Sequence, residues 1–454
     1  MFVDVSNSLQ TGGRLNIAVV GAGVSALASA WLLSRKHDVT VFEAEARPGG
    51  HSHTVVSASD VGPLPVDTGF IVYNEATYPN LTALFAHLGT PTKASEMSFS
   101  VSIDGGALEY AGNDLAGLFA QKRNLLRPRF WAMLRDTLRF YRNAPRDLVR
   151  MGTATLGEYL DANRYGEAFR QDHLFPMAAA VWSLPAGQVA NYPAASFVGF
   201  CQNHGLLQIT GRPVWRTVEG GARVYVDALC APFRDRLRLN APVRAIRRER
   251  GGVTIRTARA QAERFDHVVI GAHADQALAM LEAPTAREAR LLGALRYSRN
   301  LSILHADDSL MPRRREVWSS WNYAARRGDS FAPVSVTYWM NRLQSIPDSA
   351  PRFVSLNPIA EPSPALVIHR QIVEHPIFDA AAIAAQDELW SLQGRGNVWF
   401  CGAYFGSGFH EDGLQAGLAV AESLGGVRRP WRVADESGRI RIAGPSLRES
   451  VPAS

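Results

Sequence analysis

Leu15-Asn16-Ile17-Ala18-Val19-Val20-Gly21-Ala22-Gly23-Val24-Ser25-Ala26-Leu27-Ala28-Ser29-Ala30-Trp31-Leu32-Leu33 is the stretch on which the fold turns. Leu15 to Val20 is a short apolar run of the kind that a strand buried on both faces requires. Gly21-Ala22-Gly23 interrupts it, and a helical run from Val24 to Leu33 follows. A second strand-like run, Asp38-Val39-Thr40-Val41-Phe42, ends in Glu43. Strand, Gly-x-Gly-x-x-Ala, helix, strand and acid together form a dinucleotide-binding fingerprint in its required βαβ setting. Gly21 permits the tight turn, Gly23 lets the backbone approach a pyrophosphate, and Ala26 keeps helix and strand close. The helix N-terminus then offers free N–H groups and a positive dipole end to phosphates. Glu43 can accept hydrogen bonds from ribose hydroxyls, and an acid there disfavours the 2′-phosphate of NADP.

The chain around this stretch has 454 residues, 46% hydrophobic and 20% charged, with a net charge of +6. That length predicts two or three domains and a large buried core. Disorder is excluded by the low charge and the aromatic content. No run of about 18 apolar residues occurs, so no spanning helix is expected, and the first residues lack the apolar stretch of a secretory signal. Cys201, Cys230 and Cys401 are odd in number and widely spaced. They fit neither a disulfide framework nor a metal site, which points to a reducing, cytoplasmic location and to no metal. Lysine occurs only at Lys36, Lys93 and Lys122, the rest of the 48 basic side chains being arginine.

Arg47-Pro48-Gly49-Gly50-His51 follows Glu43 closely. With it the sequence resembles the FAD-dependent amine oxidase and phytoene desaturase superfamily, whose second strand ends in Glu, then Arg, then a Gly-Gly doublet. The resemblance implies that Arg47, Gly49 and Gly50 lie against the pyrophosphate and flavin of FAD, although His51 stands where the family usually has a second arginine. Asp67-Thr68-Gly69-Phe70 is similar to the family's next Asp-x-Gly element near the flavin, and equally reads as an ordinary Asp-initiated turn. Leu237-Arg238-Leu239-Asn240-Ala241-Pro242-Val243 is similar to the strand that meets the adenine, which implies a cofactor contact at Val243. Near the end, Asn397-Val398-Trp399-Phe400-Cys401-Gly402 reads as a buried strand. It leads through His410-Glu411-Asp412-Gly413-Leu414 into a helix with Gly413 and Gly417 on one face. This resembles the superfamily's final FAD motif, which implies cofactor contacts at Gly402, Asp412, Gly413 and Leu414. The implied fold is α/β, a Rossmann-type, glutathione-reductase-like FAD domain (1–90, 211–290 and 391–454). An amine-oxidase-like α+β substrate domain (91–210 and 291–390) is interleaved with it.

Many amine oxidases of the superfamily place a lysine near flavin N5 late in the chain, and this sequence has none after Lys122. That shifts the expectation from amine oxidation toward dehydrogenation or desaturation. Gly50-His51-Ser52-His53-Thr54, Thr337-Tyr338-Trp339-Met340-Asn341-Arg342 and Gly408-Phe409-His410-Glu411-Asp412-Gly413 resemble one branch of the superfamily. It comprises the NAD/FAD-binding flavoproteins associated with cyclopropane and methylated fatty acid synthesis, among them a methylene-fatty-acid desaturase. The resemblance implies a stand-alone flavoprotein that desaturates a methylated or methylene-bearing fatty acyl chain, phospholipid-bound, by hydride transfer to flavin N5. Its pocket should be long, apolar and aromatic, with Tyr338, Trp339, Trp182 and Trp215 as candidate walls. Core packing is the alternative for each. His410, Glu411 and His51 are the candidates for proton transfer. Two other readings stay open: an amine oxidase or dehydrogenase, and a flavin-binding accessory subunit that recruits a lipid methyltransferase.

Between 129 and 150, Arg135, Arg139, Arg142, Arg146 and Arg150 share one helical stripe, with Phe130, Trp131, Leu134, Leu138 and Tyr141 beside it. Pro145 should kink or break that helix. A basic helix with aromatics suits an anionic membrane surface, here the inner face of the membrane, or simply a solvated face over the core. No nucleic-acid motif accompanies the charge, and nucleic acid is not an expected partner.

Overall fold

The computed structural model describes residues 13–182, 186–208, 211–258, 261–328 and 334–442. The chain folds as two compact units, each assembled from separate stretches. The first comprises Met1–Gly50, Val226–Gly293 and Gln386–Ser454, the second His51–Tyr225 and Ala294–Ala385. The elements that carry the sites are, in chain order, β1 (Asn16–Val20), α1 (Val24–Leu33), β2 (Asp38–Phe42), β3 (Thr54–Ser57), β4 (Leu64–Asp67), α2 (Pro128–Asp147), β5 (His267–Ile270), β6 (Arg296–His305), β7 (Val367–Ile377), β8 (Val398–Phe400) and α3 (His410–Gly425).

The first unit is built on a five-stranded parallel sheet in the order Leu237–Arg238, β2, β1, β5, β8. Ile17 to Val20 are buried, as a central parallel strand requires. α1 is buried from Ser25 to Leu33 because neighbours cover it on both sides. On one side a Cβ at Gly271, just after β5, would fall 2.6 Å from the Ala26 methyl. The close approach assigned to Ala26 is therefore made to Gly271 at the end of β5. On the other side lies α3, where a Cβ at Gly417 would fall 2.1 Å from the Ser25 carbonyl oxygen. Small residues at 413 and 417 set how near these two helices come.

The second unit holds a seven-stranded mixed sheet in the order β7, β6, Phe353–Leu356, Ser335–Trp339, Trp321–Ala325, Phe99–Ile103, Leu108–Ala111. All neighbours are antiparallel except Trp321–Ala325 with Phe99–Ile103. Helices between 115 and 203 accompany it. The architecture is the α/β arrangement, with a second α+β unit, that the resemblance implies.

The unit boundaries fall at Gly50–His51 and Tyr225–Val226, where the sequence reading puts them at 90 and 211. The reason is long-range pairing. β3 and β4 form a hairpin within the second unit, and Trp215–Val218 pairs there with Tyr73–Asn74 and Thr92–Ser95. Nothing in the local pattern of those strands reveals which unit recruits them. Pro145 also departs from expectation. α2 runs on to Asp147, so the proline sits in its last turn, where it deprives the Tyr141 carbonyl of a partner but leaves little helix beyond it to disrupt.

The α1–α3 crossing yields a prediction. Gly417→Ala should destabilise the folded protein by about 3 kcal/mol or more, the upper range for overpacking, because the new methyl meets backbone. Denaturant titration would measure it. An unchanged midpoint would mean that the two helices can separate freely.

Candidate flavin-binding and proton-handling sites

Each unit contributes its own set of groups. In the first, the turn between β1 and α1 brings Gly21, Gly23 and Ala26 together with Gly49 and Gly50. Gly49 N–H donates to the Ala22 carbonyl (2.7 Å) and Gly23 bridges to Gly49. Gly21 has φ +95° and Gly49 φ +112°, conformations that L side chains rarely adopt. Gly23 is different. Its φ is −75°, open to any residue, and a Cβ built there meets no protein atom within 4 Å. Neither backbone nor packing demands glycine at 23; a ligand lying against the turn does.

α1 starts beside it with no side-chain cap and no acid in its first turn. Its first N–H groups and positive dipole end thus remain available to an anion. Glu43, buried at the end of β2, accepts from the Ala22 N–H (2.6 Å) and the Glu45 N–H (2.9 Å). Burial pushes its carboxyl up, against three backbone N–H groups that pull it down. No ion pair to Glu43 occurs among the described residues. The carboxylate keeps unused lone pairs, suited to the two hydroxyls of a ribose. Arg47 donates to the Gly50 carbonyl (3.0 Å) and so secures the glycine doublet. Val243 opens a strand, paired with Thr257, and is buried.

The distal motif lies in the same unit. Gly402 leaves no room for a side chain, since a Cβ would fall 2.3 Å from the Tyr404 ring. Leu414 and Gly413 are buried in the first turn of α3. Asp412 is a clamp: its carboxylate accepts from the Ser407 N–H (3.0 Å), the Phe409 N–H (2.7 Å) and Arg439 Nε (2.6 Å). It shapes the loop entering α3, and its oxygens are committed to the protein. These residues fit FAD, with the turn at Gly23 and α1 for the pyrophosphate and Glu43 for the ribose.

The proton-transfer candidates divide. Glu411 is buried and accepts from Gln415 Nε2 (3.0 Å). Burial holds His410 down at about 3, so it stays neutral at physiological pH and is poorly matched to proton transfer there. His51 lies in the second unit, exposed, its ring 5.5 Å from that of His375. Sequence reasoning overlooked the group around it. His53 Nδ1 donates to Gln371 Oε1 (2.7 Å), and Gln371 Nε2 donates to Thr68 Oγ1 (2.9 Å). The His53 ring meets His369 at 5.2 Å. His369, Gln371 and His375 alternate along β7 and so share one face of the strand. A period-two pattern of polar residues in an otherwise strand-like run was the available signal.

Asp67 belongs to the same unit and is almost fully buried. It accepts from Thr54 Oγ1 (2.5 Å), the Ala222 N–H (2.9 Å) and Gln344 Nε2 (2.8 Å), and its own N–H donates to Gln344 Oε1 (2.9 Å). This is a structural node joining the β3–β4 hairpin to two distant loops, more than the simple turn that is one of the two sequence readings. Burial raises its carboxyl to about 7 despite these donors.

The candidate walls are corrected in part. Tyr338 and Trp339 are consecutive on a strand and therefore point to opposite faces of the sheet. Trp339 packs into the core with Met311 and Phe353, whereas Tyr338 lies against Trp321. The two cannot line one cavity. Trp182 and Trp215 join one aromatic line through Phe200 and His204, with centroid spacings of 4.7, 3.9 and 6.5 Å.

Two predictions follow from these geometries. Gly23→Ala should leave the unfolding midpoint nearly unchanged yet yield protein with little or no bound flavin, measured as the ratio of visible to ultraviolet absorbance. Full flavin content would show that the turn is not the pyrophosphate seat. For Asp67, the folded carboxyl titrates at about 7 against 3.8 unfolded, so the folded state holds more protons between those values. Stability should therefore fall as pH rises through that window, by at most about 1.4 kcal/mol per pH unit. Asp67→Asn should remove this slope in denaturant titrations at pH 4.5 to 7. An identical slope in the variant would contradict the assignment.

Comparison with known proteins bears on identity. The family described as flavin containing amine oxidoreductase matches residues 24–307. A Mycobacterium tuberculosis protein named as a flavin-containing monoamine oxidase, AofH, is 29% identical over 335 residues, covering 71% of this chain and 70% of the relative. Among solved structures, the CLA-producing fatty acid isomerase from P. acnes superposes with a TM-score of 0.64 at 15% identity, covering 90% of this chain and 98% of the other. Cyclohexylamine oxidase from Brevibacterium oxydans IH-35A gives 0.63 at 17% identity, covering 91% and 100%. With its nucleotide turn, glycine doublet and distal helix in place, the chain belongs to the flavin-containing amine oxidoreductase family, and its cofactor is FAD.

Proposed function

We propose that this FAD-dependent oxidoreductase desaturates a methylated or methylene-bearing fatty acyl chain, phospholipid-bound. The observation that carries the reading is the histidine and amide face of β7. His53, Gln371, Thr68 and His375 offer hydrogen-bonding groups that are not carboxylates, and the acid on that strand, Glu374, alternates to the other face and pairs with Arg299 (3.6 Å). An ammonium substrate calls for a carboxylate or an aromatic cage, whereas an acyl chain calls for neither. The missing lysine beyond Lys122 supports the same choice. That a fatty acid isomerase is among the proteins of similar fold is consistent with this reading.

FAD, held by the turn at Gly23, the start of α1 and Glu43, would supply the two-electron oxidant for removal of hydride from an allylic C–H. The chain must then accept the accompanying proton and exclude water. His51, exposed and beside His375, is the proton acceptor in this reading. Loss of hydride and proton together leaves a new carbon–carbon double bond.

Amine oxidation remains the second reading, favoured by the mycobacterial relative. One experiment separates the two. Holoprotein mixed anaerobically with methylated phospholipid should lose its visible flavin absorption and yield a lipid lighter by two hydrogens. Bleaching by putrescine or cyclohexylamine, with none by lipid, would overturn the proposal. His51→Gln should retain flavin while slowing lipid-driven bleaching about 100-fold and shifting its pH profile; an unchanged rate would remove His51 from the chemistry.

A further inference from the structure

α2 in the second unit is held down by Phe130, Met133, Asp136, Phe140 and Ala144, which are buried and spaced three or four apart. The opposite face has an unusual composition. Trp131, Arg135, Leu138, Arg142, Arg146 and, just beyond the helix, Val149 follow at intervals of three and four, which confines them to a stripe about 80° wide. Trp131 is 49% exposed, Leu138 55% and Val149 95%, and Leu126, immediately before the helix, is 87% exposed. Trp131 Nε1 donates to the Leu125 carbonyl (2.9 Å), so what faces outward is apolar ring.

The two sequence stripes thus interleave on one face. Trp131 and Leu138 stand among the arginines, while Arg139 turns away to stack on Tyr165 (4.0 Å) and donate to the Arg164 carbonyl. The acids of the segment are withdrawn. Asp136 is buried, accepting from the Gly166 N–H and pairing with Arg135 (3.4 Å) and Arg139 (3.6 Å), and Asp147 accepts from the Tyr159 hydroxyl. Arg142, Arg146 and Arg150 make no ion pair among the described residues.

We infer that this face docks on an anionic lipid bilayer. A soluble surface seldom exposes large apolar side chains in such a cluster. The interleaved arginines select what covers it: their stems reach past the apolar residues to place guanidinium groups at the level of lipid phosphates. A second copy of the same face would set arginine against arginine, which disfavours a symmetric dimer. Nucleic acid would leave Leu126, Leu138 and Val149 uncovered. The inference rests on α2 alone and holds whether the substrate is a lipid or an amine.

Holoprotein would be sedimented with vesicles of phosphatidylcholine and with vesicles also containing phosphatidylglycerol. Binding is expected only to the anionic vesicles and should weaken with salt. Each arginine removed should cost about five-fold, so Arg142→Glu with Arg146→Glu should lower binding by at least about 25-fold. Trp131→Ser with Leu138→Ser should weaken it at constant charge, and in both variants an unchanged flavin spectrum certifies the fold. Should a double variant lose flavin, Arg146→Glu alone carries the test. Wild-type protein that stays in solution with every vesicle, variants that bind as wild type does, or a wild-type dimer dissolved by the same substitutions would each overturn the inference.

Discussion

The approach of α1 to its two neighbours is the constraint on which the first unit depends. A helix can sit this close to the end of β5 and to α3 only where side chains are nearly absent, and Ala26, Gly271, Gly413 and Gly417 supply that absence. The result fixes the direction of α1, and with it the direction in which the free N–H groups at Val24 and Ser25 point. An uncapped helix end is ordinarily a cost to stability. Here it is retained beside a glycine whose missing side chain serves no fold purpose, and the two features together make sense only with an anionic cofactor in place.

The nucleotide half of the protein was legible in sequence because its logic is local. Strand, turn, helix and acid lie within 29 residues, from Leu15 to Glu43, and each residue's role follows from its neighbours in the chain. The second unit works otherwise. Asp67 meets Gln344 across 277 residues and His53 meets Gln371 across 318. No spacing rule connects such pairs, so the sequence offered Asp67 as a flavin-side element or a turn and gave His53 no role. Tyr338 and Trp339 failed as joint pocket walls for a simpler reason: adjacent strand residues face opposite ways, a rule that composition-based choices overlook.

Fold leaves the substrate open. Structures acting on amines and one acting on a fatty acid superpose on this chain almost equally well, at TM-scores of 0.63 and 0.64. At 15% and 17% identity that likeness fixes the fold alone, so the chemistry has to be argued from the groups this chain carries. That is why the polar face of β7 weighs more in assigning chemistry than any global similarity does.

The choice of basic residue narrows that chemistry further. Arginine stays protonated at any physiological pH, so a chain nearly devoid of lysine has few nitrogen bases besides histidine. Burial pushes the thiols of Cys230 and Cys401 up to about 12 and that of Cys201 higher still, which makes them inert. Several histidines are already spent on structure. His37 serves the Leu15 N–H and the Gly425 carbonyl, His173 bridges the Tyr110 and Tyr141 hydroxyls, and His305 joins Ser355 and the Asp307 N–H. Asp67 titrates near neutrality, but donors from three elements enclose its carboxylate. His51, His53, His369 and His375 are the imidazoles that gather at a partly exposed sheet face. The proposed proton acceptor, His51, is one of this group, so the proposed chemistry depends on β7 and the segment that begins at His51.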